Sequence, residues 1–209
     1  MRDDVWSPLL YPVGHYLGPV GESDTPLPSA HRVRVGEQVR TLPGGDPYKI
    51  WLVAHGAAGG PTPWTPQDVA RTAGLPAHRF DAAMSELTDR GLLLAVDADL
   101  PEAEEMAGSY RWQSMLYGHG TQLGWNGLYG IGGPSEPWVL VNSLVYDVWR
   151  WTPIAATLWD ACEALYESYR EPFDDDDIVV DSPRAMLSQL LPSLHSLICS
   201  YAGYLDEAW

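Results

Sequence analysis

The sequence predicts an α+β protein of two tandem units related by internal duplication, each running from strands into three helices. Three observations predict this: a spaced motif that occurs twice, two further matched landmarks in the same order, and helix and hairpin signals that repeat a common plan. The motif is Trp6-x-x-x-Leu10-Tyr11-x-x-Gly14-x-x-Leu17-Gly18, and it recurs with every gap preserved as Trp112-x-x-x-Leu116-Tyr117-x-x-Gly120-x-x-Leu123-Gly124. Tyr48-Lys49-Ile50-Trp51 then matches Tyr146-Asp147-Val148-Trp149, and Trp64-Thr65-Pro66 matches Trp151-Thr152-Pro153. Self-similarity over this span is the signature of a repeated supersecondary unit. The boundary is placed in the Ala/Glu-rich stretch from Pro101 to Gly108, giving units at 1–105 and 106–209.

In the first unit, Arg32 to Val35 and Val39 to Leu42 alternate polar and apolar residues around Gly36-Glu37-Gln38, the pattern of a hairpin with one buried face. Tyr48 to His55 reads as a short helix closed by Gly56. Thr65, Pro66 and Asp68 form a helix start: a hydroxyl cap, a proline where no amide is needed, and an acid in the first turn. Gly74 stops that helix. Phe80, Ala83, Met84 and Leu87 fall at helical spacing in the next one, Gly91 ends it, and Leu92 to Val96 runs as a strand. This succession is that of a winged helix-turn-helix unit.

The second unit follows the plan with Trp138 to Val141 as strand, Ser143 to Trp151 as first helix and Pro153 to Tyr166 as second. A third helix starts at Ser182-Pro183, carries a seam of Leu187, Leu190, Leu194, Leu197 and Tyr201, is kinked by Pro192, and ends at Gly203. The insert from Glu171 to Asp181, with Asp174-Asp175-Asp176-Asp177, lacks the alternating ligands and glycine of a calcium loop and reads as a solvated acidic segment.

With 45% hydrophobic and 19% charged residues, ordinary globular cores are expected. No run approaches the roughly 20 apolar residues of a membrane span. Met1-Arg2-Asp3-Asp4 opens with acids where a signal peptide needs an apolar stretch, so a cytoplasmic protein is expected. Twelve basic residues against 28 acidic ones give a net charge of −16. That field opposes phosphate-driven nucleic-acid affinity and favours a neutral or basic partner. The single lysine, Lys49, excludes a GxxxxGK phosphate loop.

Catalytic, cofactor and metal sites are not expected. Cys162 and Cys199 lie in apolar segments without CxxC spacing, and the six histidines form neither an i,i+4 pair nor an HExxH frame. There is no GxSxG elbow. The strand-turn-helix order at Trp138-Val139-Leu140-Val141-Asn142-Ser143-Leu144-Val145-Tyr146-Asp147-Val148-Trp149, with the Y-x-[IV]-W entry into a helix, resembles the peptide-recognition winged helices typified by the pyrroloquinoline-quinone peptide chaperone, the RiPP recognition elements. The resemblance covers 31–96 and 125–205. It implies a non-catalytic adaptor whose peptide adds as a strand at a sheet edge and packs on the third helix. Carried onto this chain, the contacts fall at Val39, Arg40, Thr41 and Leu42 with His78 and Arg79, and at Val139, Leu140 and Val141. Two units, the motif before each, and the insert depart from that family's pattern.

The alternative is a transcription regulator using Ala77 to Arg90 as recognition helix. His78, Arg79 and Arg90 favour it; Asp81, Glu86, Asp89 and the overall charge oppose it. An acidic DNA mimic and an enzyme with an unfamiliar site are the remaining readings.

Overall fold

A computed structural model describes residues 8–20, 28–56, 64–98, 101–169 and 180–208. Trp6 of the first motif and Asp174-Asp175-Asp176-Asp177 of the insert lie outside the described residues. Among those described, the fold is mixed α+β, with small antiparallel sheets and seven α-helices. No described helix is long and apolar enough to cross a membrane.

The chain begins with strands β1 (Leu9–Pro12) and β2 (His15–Val20), then β3 (Ala30–Val35) and β4 (Gln38–Pro43). Helices α1 (Asp46–Ala54), α2 (Pro66–Ala73) and α3 (Ala77–Asp89) follow, then β5 (Leu93–Val96). Helix α4 (Pro101–Ser109) leads into β6 (Tyr110–Ser114), β7 (Tyr117–Thr121), β8 (Tyr129–Gly132) and β9 (Pro137–Val141). Next come α5 (Ser143–Trp151), a short 3-10 turn, α6 (Leu158–Tyr169), α7 (Pro183–Cys199) and β10 (Gly203–Glu207). On either side of α4 the order is therefore four strands, three α-helices and a strand. The pairing repeats too: β2-β3-β4 and β7-β8-β9 are three-stranded sheets, and β1-β5 and β6-β10 are antiparallel pairs.

Local chemistry explains the elements. The β3–β4 hairpin turns through Gly36 at φ +57 and Glu37, a two-residue loop with glycine first, which matches strand twist. Thr65 caps α2 through the Asp68 amide while the Asp68 carboxylate accepts from the Thr65 amide, so two orphan helix donors are satisfied reciprocally. Asn142 and Ser182 cap α5 and α7 in the simpler way, each accepting one amide.

Three expectations are corrected in detail. The second helix of the later half starts at Leu158 rather than Pro153. Thr152 is buried and donates back to the Val148 carbonyl, whereas Thr157 and Asp160 exchange the two capping bonds, the same device as Thr65 and Asp68. Tyr201 is not part of the α7 seam: the helix ends at Cys199, and Gly203 opens β10. Finally, the repeated motif does not occupy equivalent places. Tyr11 is buried in β1, while Tyr117 is 63% exposed in β7. The bulges of β2 and β7 fall at Tyr16/Gly18 and Gly118/Gly120, so Gly120 corresponds to Gly18 rather than to Gly14. Leucine, tyrosine and glycine serve strands and turns alike, and register is decided by pairing.

Among the described residues two hydrophobic cores result. One gathers Leu10, Val13, Val33, Ile50, Trp51, Val69 and Leu87; the other gathers Leu9, Tyr11, Trp112, Leu144, Trp149, Leu187 and Leu194. Successive residues of β1 point to opposite faces, so Leu10 enters the first core and Leu9 and Tyr11 the second. That double burial makes β1 a shared wall. Its Tyr11 hydroxyl donates to the Leu191 carbonyl of α7 at 2.8 Å, and the Gly14 amide donates to the Leu205 carbonyl of β10 at 2.7 Å. The stretch read as a boundary is itself helical: α4 buries Ala103, Met106 and Ala107 in the second core.

Candidate functional site

The expected strand site falls at a sheet edge in both halves. β4 ends the order β2-β3-β4, and β9 ends β7-β8-β9. Val35 faces Gln38 across the two-residue turn, and Val33 faces Arg40. With these as the hydrogen-bonded pairs of an antiparallel ladder, the amides and carbonyls of Val39 and Thr41 point to the open edge. Val39 is 58% exposed and Thr41 is also exposed, but Leu42 is buried in the first core. Of the residues assigned to this strand, Leu42 is therefore a packing residue. In β9, Trp138 and Leu140 are exposed and Val139 is half-buried, while Val141 is buried.

Helix α3 flanks β4 on this side. At its first turn Arg79 grips Asp46, just beyond the end of β4, through two bonds of 2.6 and 2.7 Å. At its other end Arg90 reaches the Thr41 carbonyl at 3.5 Å, and Arg40 donates to the Arg90 carbonyl at 3.0 Å. Arg40 also pairs with Glu207 at 2.5 Å. Strand and helix thus border one strip, with ion pairs at its ends and exposed His78 beside Arg79.

Of the arginines on this side of the first half, Arg32, Arg34, Arg40 and Arg79, most are internally neutralised. Arg34 donates to the Tyr204 hydroxyl and lies 3.7 Å from Asp206, Arg40 serves Glu207, and Arg79 serves Asp46. Arg32, on the exposed face of β3, completes the set. Charges paired in this way offer less to a phosphate backbone than their number suggests.

The structure also brings together a concave site that the sequence does not assign. A cavity of about 340 Å³ opens between the two halves. Its walls include Tyr16 from β2, Tyr48 and Trp51 from α1, His55 at the C-cap of α1, and Tyr201 and Tyr204 from the chain after α7. The rings lean on one another: Tyr16 to Trp51 at 6.1 Å between centroids, Tyr16 to Tyr48 at 6.2 Å, and Trp51 edge-on to His55 at 4.2 Å. Tyr48, Trp51 and His55 are spaced three and four residues apart and so share a helix face, a signal available in the sequence. The contribution of Tyr201 and Tyr204 was not.

Behind this cavity, His195 and Cys199 of α7 form a buried pair. His195 Nε2–H donates to the Ala54 carbonyl at 3.1 Å, leaving Nδ1 to accept from the Cys199 thiol at 3.4 Å. Burial lowers the His195 pKa to about 4 and raises that of Cys199, so both are neutral, the opposite of an activated thiolate. Cys162 is pushed up to about 12 by burial. Among the described residues no group of three or more His, Cys, Asp or Glu side chains is arranged to hold a metal ion.

His195 has a measurable consequence. Its folded pKa lies below the unfolded value of roughly 6.5, so the unfolded chain binds the extra proton. Stability is complete above about pH 6.5 and falls as pH drops toward 4, by about 1 kcal/mol per pH unit for one such group. Urea midpoints measured from pH 7 to 4.5 should show this decline, and His195→Gln should show a shallower one, because the carboxylates titrate alike in both proteins. Equal slopes would place the lost stability elsewhere. Compared with known proteins, the chain matches no family model, no curated protein and no solved structure.

Proposed function

We propose that the chain is a non-catalytic adaptor that recognises a peptide or partner protein by strand addition, and that its halves derive from duplication of one winged-helix-like unit. The observation that carries the binding reading is the edge position of β4, with Val39 and Thr41 directing backbone groups outward beside α3. An incoming strand satisfies those groups without a precise side-chain code, and specificity comes from the strip between β4 and α3. A precursor leader peptide fits this mode. The partner carries mixed charge and a few apolar anchors, because a strongly acidic peptide is repelled by a chain of net charge −16. Binding displaces Arg90 from the Thr41 carbonyl.

Duplication is supported by the repeated element order, the matched bulges at Gly18 and Gly120, the shared capping device, and the burial of both Trp51 and Trp149. The two edges differ. β4 is flanked by arginines, and β9 exposes Trp138 and Leu140, so one preferred peptide site is expected in the first half. A cytoplasmic location suits two free, buried cysteines, since thiols persist in a reducing compartment.

The test is a titration of mixed-charge candidate leader peptides against the isotope-labelled protein. Amide shifts should cluster at Val39 to Leu42 and His78 to Met84. Thr41→Pro should weaken binding about tenfold, the equivalent of one lost hydrogen bond, while leaving the hairpin intact because the Thr41 amide points away from β3. Arg40→Pro, whose amide points into the ladder, should instead damage the fold. Peptide binding without a response at β4 would reject strand addition. A duplex-binding signal that falls steeply with salt and vanishes when Arg32, Arg34, Arg40 and Arg79 are replaced would make the regulator the better reading.

A further inference from the structure

Two helix ends of the same construction differ at one residue. After α3, the Gly91 amide donates to the Thr88 carbonyl and the Leu92 amide to the Leu87 carbonyl. After α7, the Tyr201 amide donates to the Ile198 carbonyl and the Ala202 amide to the Leu197 carbonyl. Both are Schellman endings, whose pivot residue adopts the left-handed conformation and is usually glycine. Gly91 sits there at φ +62, and Tyr201 at φ +55. A side chain in that conformation is strained, and persists where the surroundings or a function hold it. Packing does not hold this one, because Tyr201 is 69% exposed. Tyr201 instead borders the aromatic cavity between the halves.

We infer that this cavity is a small-molecule site for a neutral, flat aromatic ligand, with Tyr201 as its rim. Its volume of about 340 Å³ lies at the lower end of the range for ligand pockets, about 300–1,000 Å³, which are characteristically apolar with a few polar groups. Offset and edge-on ring contacts with Tyr16, Tyr48 and Trp51 suit a planar guest. Charge decides the class. Among the described residues no Asp, Glu, Lys or Arg lines the cavity; its two histidines are His15, which leans on the Tyr204 ring, and His55, which gives its Nδ1–H to the Trp51 carbonyl at 2.8 Å and is kept neutral by burial. An ionised guest would be desolvated without a counter-charge. Cations, which aromatic walls otherwise attract, meet the Arg34 guanidinium 5.7 Å from the centre of the Tyr204 ring. The nearby carboxylates of Asp206 and Glu207 already serve arginines. This site is separate from the β4 edge, so it stands or falls independently of peptide recognition.

The experiment titrates 2-naphthol and, separately, phenyltrimethylammonium into the full chain, reading affinity by calorimetry and location by the tryptophan indole resonances. 2-Naphthol should bind at sub-millimolar to millimolar concentration and shift the Trp51 indole signal, identified by its loss in Trp51→Phe. Tyr201→Gly should raise the melting temperature, because glycine accepts the left-handed pivot without strain, and should weaken 2-naphthol binding at least fivefold. Tyr201→Phe should retain binding. The inference is overturned if the Trp51 signal does not move, if Tyr201→Gly binds as well as the wild type, or if only the cation binds.

Discussion

Asp206→Ala should cost about 3–5 kcal/mol of folding stability, the range for breaking a buried charge cluster by removing one partner. Asp206 is fully buried in β10. Its Oδ1 accepts from the Gly36 amide at 2.6 Å, which ties the β3–β4 turn of the first half to the last strand of the second. Among the described residues its Oδ2 has no hydrogen-bond partner and is held by charge, 3.7 Å from Arg34 and 3.8 Å from Arg111. Alanine takes one carboxylate away from the buried Arg111 guanidinium and leaves the Gly36 amide without the acceptor it now has. Asparagine retains the acceptor and should recover about 1 kcal/mol of the loss, one net hydrogen bond. Urea denaturation with an unchanged slope and a lowered midpoint is the expected reading. A loss under about 1 kcal/mol, within the range of an exposed pair, would mean that the halves are not tied through this carboxylate.

Gly56→Ala should be comparably damaging although it adds a single methyl group. Gly56 follows α1 at φ +77, where a side chain costs about 1–2 kcal/mol. A Cβ there would also meet Trp64 Nε1 at 2.3 Å, Cys199 Sγ at 2.2 Å and His195 Cε1 at 3.0 Å. All three residues are buried, so none moves freely, and overpacking adds about 1–3 kcal/mol. The combined loss is about 2–5 kcal/mol, read as a fall in melting temperature. Gly74→Ala provides the comparison: it shares the left-handed conformation at φ +61, but its Cβ meets nothing within 4 Å. It should show only the backbone cost. Equal losses in the two variants would show that contact between α1 and α7 is not what constrains Gly56.

How much of this was legible depends on how far apart the interacting residues stand. Helix starts at Thr65-Pro66, Ser143 and Ser182-Pro183 were readable because a cap is written within three residues of its amide. The hairpin at Gly36-Glu37 was readable for the same reason. Matching Trp151-Thr152-Pro153 to Trp64-Thr65-Pro66 places the start of α6 five residues too early, because Thr152 is buried at the end of α5. The spacing of Thr157 and Asp160, the same as Thr65 and Asp68, was the better signal. For the candidate strand, the alternation of Val39 to Leu42 identified a half-buried strand, and the pairing then separated exposed Val39 and Thr41 from buried Leu42.

By itself, then, the sequence determined an α+β chain, most of its helix boundaries, the β3–β4 hairpin and the acidic field, since each follows from local propensity, short-range hydrogen bonds or composition. Only the tertiary structure decided that β5 pairs with β1 rather than with the hairpin. It also decided that β1 serves both cores, that Arg34, Arg40 and Arg79 are already paired, and that Tyr201 and Tyr204 meet Tyr48 and Trp51 around a cavity. The physical reason is that alternation and charge state what a residue needs, a buried face or a counter-ion, without naming which distant segment supplies it. Tyr11 and Leu191, or Gly36 and Asp206, are brought together by the closing of the whole chain.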